Sequence, residues 1–224
     1  MSRFREGSAL AGAGAIAFSV FAAPVSVVSL VVPSAPGGTY SESDVANYVS
    51  IGFLPTVIVT GYLALAGVLG LICLLGYLRE LIGAEGGSKL AASVFWGAGL
   101  AATASMAVSW GLLTGIAVAA AEGGRAASVP HPVIYLLSDA GKNVLFGSGG
   151  ILFGLALIAL MVASRGRLPK WLRWLSLVVG VLAVASPALF PAFAIPIWGI
   201  VIGVWLIVAG RAATSATVAT QRSA

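Results

Sequence analysis

The chain has 224 residues, of which 59% are hydrophobic and only 8% charged, with a formal net charge of +5. A soluble domain carries about 25% charged residues, so a surface covered by water is excluded. With a mean hydropathy of +1.05, the sequence reads as an all-α polytopic membrane bundle, in which bilayer thickness sets helix length.

Residues 9–32 form the first apolar run, behind a short basic start with Arg3 and Arg5. As a helix, 24 residues rise about 36 Å, enough for a hydrocarbon core of about 30 Å with some tilt. The run exceeds the roughly 7–15 apolar residues of a signal-peptide core. The small-residue sites at Ala23 and Ala35 are each followed by proline. A retained first helix is therefore expected, with Pro24 as its kink.

Residues 33–50 make a loop with Glu42 and Asp44 and no lysine or arginine. Ser41, Ser43 and Asp44 are helix-start residues. The second helix is expected to begin there and run to Leu78, with the span proper at 51–78 and a bend at Pro55. Counting about 20 residues back from Arg79 places its outer hydrocarbon boundary near Thr60. The segment from Arg79 to Lys89 has glycines and a lysine, but lacks phosphate-loop spacing and a preceding strand, so it reads as a turn.

The third span covers 90–120 and contains Gly111-Leu-Leu-Thr-Gly115, a small-residue packing pattern. A loop with Arg125 and the single histidine, His131, follows, and Pro132 can open a helix. The fourth span is placed at 143–164. Length counting sets its outer boundary near Leu145, so Asp139, Lys142 and Asn143 lie about one turn above the hydrocarbon. The glycines from Gly147 to Gly154 have neither a strand before them nor an acidic partner after them, and read as helix packing.

The last hairpin comprises spans at 172–188 and 190–210. Between Arg173 and Arg211 there is no charge. The 37 intervening residues, fully helical, would extend about 55 Å, whereas two crossings need about 60 Å. Either two short crossings meet at the outer surface or the pair is re-entrant, and the proline turn is expected to lie shallow, beside longer neighbouring helices. The tail from Ala212 is expected to fray.

Charge sets the orientation. Arg3, Arg5, Arg79, Lys89, Arg165, Arg167, Lys170, Arg173, Arg211 and Arg222 fall on one side of a six-span arrangement; Arg125 and Lys142 fall on the other. The positive-inside rule then puts both termini in the cytoplasm. Trp171 and Trp174 suit the inner aromatic belt and Trp110 the outer one. Nine arginines against three lysines, with abundant alanine, glycine and valine, suggest a GC-rich bacterial genome and hence a bacterial plasma membrane. Because the basic residues are spread over short loops, they are orientation markers and give no nucleic-acid surface.

Arg165 and Arg167, then Leu168-Pro169-Lys170-Trp171-Leu172, an aliphatic helix, Trp205-Leu206-Ile207-Val208 and a Gly-Arg exit at Gly210-Arg211 carry a resemblance. This quarter of the chain resembles the end of a bacterial six-helix membrane family catalogued as domain of unknown function 4386. The family often has an acidic residue before its final tryptophan; the stretch from Ile195 to Ile200 here has none. The resemblance implies the fold and carries no activity.

Residue chemistry narrows function only partly. One histidine and one cysteine, Cys73, far apart in sequence, make no metal set and no internal disulfide, and no cofactor motif is present. Ser138, His131 and Asp139 lie close in sequence, but a helix from Pro132 would point Ser138 and Asp139 in diverging directions, so no catalytic set is assigned. No paired carboxylates lie within a span, which disfavours a proton relay. The remaining constellation is near the outer face: Thr56 and Thr60, Ser105 and Ser109, then His131, Asp139, Lys142 and Asn143. These would line an outward-facing cleft between the second, third and fourth helices for a small or lipid-like ligand, with Asp139 and Lys142 orienting its polar head. Serines and threonines in membrane helices also bond their own i−4 carbonyls or join helices. The alternatives are a non-catalytic scaffold whose glycine faces, Gly111–Gly115 and Gly199–Gly203, dock a protein partner, and a transporter or membrane enzyme without a recognisable motif.

Overall fold

The computed structural model describes residues 2–31, 39–50, 52–83, 88–121, 129–189 and 194–222. All regular structure among them is helical: α1 (Ser2–Val31), α2 (Glu42–Tyr48), α3 (Leu54–Gly83), α4 (Lys89–Ala121), α5 (His131–Asn143), α6 (Gly150–Ala163), α7 (Lys170–Val184), α8 (Ser186–Leu189) and α9 (Ala194–Arg222). A π-helical stretch, Val144–Gly149, joins α5 to α6 in one continuous rod. Among the described residues, four segments are long and apolar enough to cross a membrane: Leu54–Gly83, Lys89–Ile116, His131–Ala163 and Ala194–Arg211.

Several boundaries differ from the sequence expectation for physical reasons. The second helix does not begin near Ser41 and bend at Pro55. α2 ends at Tyr48 and α3 begins at Leu54, and the Phe53 amide donates to the Ser50 carbonyl at 3.0 Å. Proline disfavours a helical residue before it and lacks the N–H a helix interior needs, so Pro55 sits in the first turn of α3. At the other end α3 continues past Leu78 to Gly83. Ile82 in that added turn is buried, and the Arg79 guanidinium lies 4.7 Å from the Trp96 ring centroid on α4. Where a frayed tail was expected from Ala212, α9 continues as helix to Arg222. Of the expected proline turn, Pro187 lies in α8 and Pro196 in α9, while residues 190–193, with Pro191, and residues 122–128, with Arg125, lie outside the described residues.

The long helices pack as antiparallel neighbours in a ring. α1 lies between α3 and α9, α4 between α3 and α6, and α7 between α6 and α9. Glycines set the closest approaches. A methyl group at Gly14 would lie 2.6 Å from the Gly70 carbonyl oxygen, one at Gly12 2.7 Å from that of Gly203, and one at Gly154 2.5 Å from that of Gly180. Small residues let helix backbones meet where lipid offers no hydrophobic drive for association. Aromatic rings fill the middle of the ring: Phe153 meets Trp198 edge-on at 5.7 Å and Phe18 at 6.3 Å. The Trp198 indole N–H donates to the Ser176 hydroxyl at 2.9 Å, and that hydroxyl donates to the Leu172 carbonyl at 2.9 Å. The buried polar atom is thus satisfied, as low-dielectric surroundings require.

This packing gives the bundle two distinct ends. One gathers the start of α1, the end of α3, the start of α4 and the α6–α7 corner; Gly7 meets Tyr77 there, and Arg79 meets Trp96. It is the basic end. The other carries α2 and the start of α5, and is here called the cap end. The Ser186 hydroxyl donates to the Phe146 carbonyl at 2.6 Å, so α7–α8 stops beside the π stretch while α5 runs on for about 20 Å at 1.5 Å per residue.

The glycine contacts predict a sharp contrast between positions. Gly14→Val and Gly154→Val should each destabilise the bundle by about 1–3 kcal/mol or more through overpacking. Gly111→Val, which would meet nothing within 4 Å, should stay within about 0.5 kcal/mol of the parent. Equilibrium unfolding in mixed SDS micelles measures the difference.

Candidate functional site

The cap end is built from α2 upward. The Ser41 hydroxyl accepts from the Asp44 amide at 3.4 Å, and Glu42 and Asp44 occupy the first turn, where carboxylates complement the helix dipole. Val45 and Tyr48 are the buried face of this short helix. The Tyr48 hydroxyl donates to the Leu113 carbonyl of α4 at 2.8 Å. Burial pushes the Tyr48 phenol well above its ordinary range, so it stays a neutral donor. Two further contacts tie this segment to α5: His131 Nδ1 lies 3.3 Å from a Glu42 carboxylate oxygen, and Tyr40 and Tyr135 meet edge-on at 5.3 Å. The segment from Tyr40 to Tyr48 therefore straps α4 to α5.

Directly below the strap, the Ser109 hydroxyl donates to the Gly141 carbonyl at 2.7 Å. A methyl group at Gly141 would lie 3.3 Å from the Leu113 side chain, so glycine permits the close α4–α5 approach that this bond needs. The π stretch begins three residues later. A π turn shifts the i→i−4 register and is frequently found at functional sites. Here Ser186 reaches the carbonyl of Phe146 within the stretch, and Gly149 packs toward Met106 and Ser105.

The sequence-predicted residues fall into separate groups. Thr60 donates to the Thr56 carbonyl at 2.5 Å and Ser105 to the Ala101 carbonyl at 3.0 Å, both turning back on their own helices. Thr56 is exposed. Ser109 is an interhelix bond and His131 part of the strap. Asp139, Lys142 and Asn143 form a local cluster on the last turn of α5. The Asn143 amide donates to the Asp139 carbonyl at 3.0 Å and to its carboxylate at 3.1 Å. Lys142 is half-buried, and no ion pair joins it to Asp139 among the described residues. Ser138 is fully buried, with its hydroxyl unpartnered, and His131 is two turns away and turned to Glu42. These three residues do not form a nucleophile, base and acid in contact. No group of three or more metal-ligating side chains occurs among the described residues.

Sequence reasoning missed Tyr48 as an anchor and Ser186 as the partner of the π stretch. A tyrosine at the end of a short capped helix was a visible signal for the first. A serine before Pro187 gave no hint of a partner 40 residues earlier. No family model, curated protein or solved structure matches the chain.

Removing the Tyr48 hydroxyl isolates the strap. Tyr48→Phe leaves a buried carbonyl without this donor, and should cost about 1–2 kcal/mol. Amide hydrogen exchange should rise in residues 42–50 and stay unchanged around Leu157 in α6. Unchanged exchange in α2 would show that the bond does not hold it.

Proposed function

We propose that this chain is a six-span protein of a bacterial plasma membrane, with both termini cytoplasmic, that holds a small or lipid-like amphiphile at its cap end. Six antiparallel rods (α1, α3, α4, α5–α6, α7–α8 and α9) support an even number of passes. Ten of the 12 lysines and arginines lie on one side of that arrangement, which supports the orientation. The likeness of residues 165–211 to family 4386 belongs to the same reading.

The observation that carries the ligand proposal is Lys142. It is half-buried, and its neighbouring carboxylate, Asp139, is engaged by Asn143. A partly desolvated ammonium that feels the Asp139 charge but makes no contact ion pair is costly; an anionic or strongly polar headgroup would supply a direct contact. The apolar faces around the π stretch would take the ligand's hydrocarbon part. The serines and threonines belong to the walls, because their hydroxyls already serve carbonyls.

A second reading, the protein scaffold, rests on a different observation. Gly199 and Gly203 pack inside the molecule against α1, whereas Gly111 and Gly115 are exposed with nothing within 4 Å. That face of α4 is open to a partner helix.

Purification in native lipid followed by native mass spectrometry tests the first reading. The parent protein should retain a bound amphiphile, and Asp139→Ala with Lys142→Ala should reduce its occupancy at least about tenfold, some 1.4 kcal/mol. A parent protein with no bound species sinks the proposal. If the scaffold reading holds instead, Gly111→Leu with Gly115→Leu should abolish a crosslinked partner. Topology is checked in intact cells carrying Cys73→Ala: an impermeant maleimide should label Asp44→Cys and leave Arg165→Cys unlabelled. The reverse pattern would overturn the orientation.

A further inference from the structure

The α6–α7 corner, at the basic end and remote from Lys142, carries chemistry that the cap-end reading does not use. Ser164 closes α6, its amide donating to the Leu160 carbonyl at 2.9 Å, and the Arg167 amide donates to the Ser164 carbonyl at 3.0 Å. Gly166 takes φ +79°, a left-handed conformation that glycine adopts without steric cost. Arg165 and Arg167 flank it on the exposed side of the turn, and Lys170, the first residue of α7, is also exposed. The corner is rigidly seated, because Ala163, Leu168 and Leu172 are buried beneath it. The Arg173 Nε–H donates to the Met161 carbonyl at 3.1 Å, satisfying one of the last carbonyls of α6.

Two features give this corner a partner of definite chemistry. First, no aspartate or glutamate follows Asp139 in sequence. Among the described residues Arg165 and Lys170 form no ion pair. Second, the outward face of α7 changes character along its length. Trp171 and Trp174 are 52% and 60% exposed, and Val178 and Val181, further along the same face, are both 54% exposed. Cations, then indoles, then branched aliphatic side chains match the order of a phospholipid's phosphate, glycerol region and acyl chain.

We propose that the corner formed by Arg165, Arg167, Lys170, Trp171 and Trp174 is a binding site for an anionic phospholipid. The cations meet the phosphodiester, the indoles lie at the glycerol level, and Val178 and Val181 line one acyl chain. Each lysine or arginine at an anionic membrane surface contributes about fivefold to affinity.

The full chain in nanodiscs of phosphatidylcholine containing one-fifth bromine-labelled phospholipid tests this by tryptophan quenching. Brominated phosphatidylglycerol should quench more strongly than brominated phosphatidylcholine at the same mole fraction. Arg165→Gln with Lys170→Gln should lower that preference at least about tenfold, and Trp171→Phe with Trp174→Phe should remove most of the quenching. Lys89→Gln, which removes an exposed cation at the start of α4 outside the corner, should leave both unchanged; loss of the preference in Lys142→Gln alone would overturn the corner site and assign the lipid to the cap end. Both corner positions are exposed, so the variants should elute and unfold like the parent. Equal quenching by the two lipids overturns the proposal, as does an undiminished preference in the Arg165/Lys170 variant. Displacement of the phosphatidylglycerol effect by millimolar inorganic phosphate would also overturn it, by identifying a free-anion site.

Discussion

Backbone-to-backbone approach at glycine is the constraint on which the rest of the structure depends. Gly14 against Gly70, Gly12 against Gly203 and Gly154 against Gly180 leave no room for a side chain. In a bilayer, burying apolar surface between helices gains little over lipid contact, so association rests on dispersion at short range and on polar bonds. These contacts place α1 between α3 and α9, and α7 against α6. Large side chains then have a fixed space to fill, which brings Phe18, Phe153 and Trp198 together inside the ring.

Once helices stand that close, short polar side chains can reach neighbouring carbonyls. Ser109 reaches Gly141 because Gly141 lets α4 approach. Ser186 reaches Phe146 in the π stretch, and Tyr48 reaches Leu113 from α2. Each bond links elements distant in sequence. Together they leave α5, with Lys142 near its end, as a rod that runs on past the point where Ser186 of α8 meets the π stretch and is strapped at its tip. Polar satisfaction and the cap-end architecture are thus consequences of the same close packing.

The two ends of the bundle differ in how their charge is used. At the cap end, carboxylates find local partners: Glu42 with His131 and Asp139 with Asn143. At the α6–α7 corner, exposed cations stand on a turn shaped by Gly166, with Trp171 and Trp174 beside them. A cluster of one sign on a rigid turn attracts ligands of the other sign, whereas paired charges mostly hold elements together.

Composition and charge spacing by themselves determined that the chain is helical and suited to a bilayer, because scarce charge and long apolar runs constrain every arrangement of the backbone. Most helix limits were legible to within a few residues, α4 most closely, since Ser88 and the flanking charge mark its start. The break before Pro55 was misplaced, because local residue preference does not include the Tyr48 anchor on Leu113; the last helix was expected to end at Arg211, and it continues to Arg222. The constellation near the outer face was legible as polar residues but not as bonds. The i,i+4 spacing of Ser105 and Ser109 looks equivalent in sequence, yet one hydroxyl turns back to Ala101 and the other crosses to Gly141. Only the tertiary structure decided that difference: which carbonyl a hydroxyl meets depends on how closely the next helix comes, and that distance is set by glycines elsewhere in the chain.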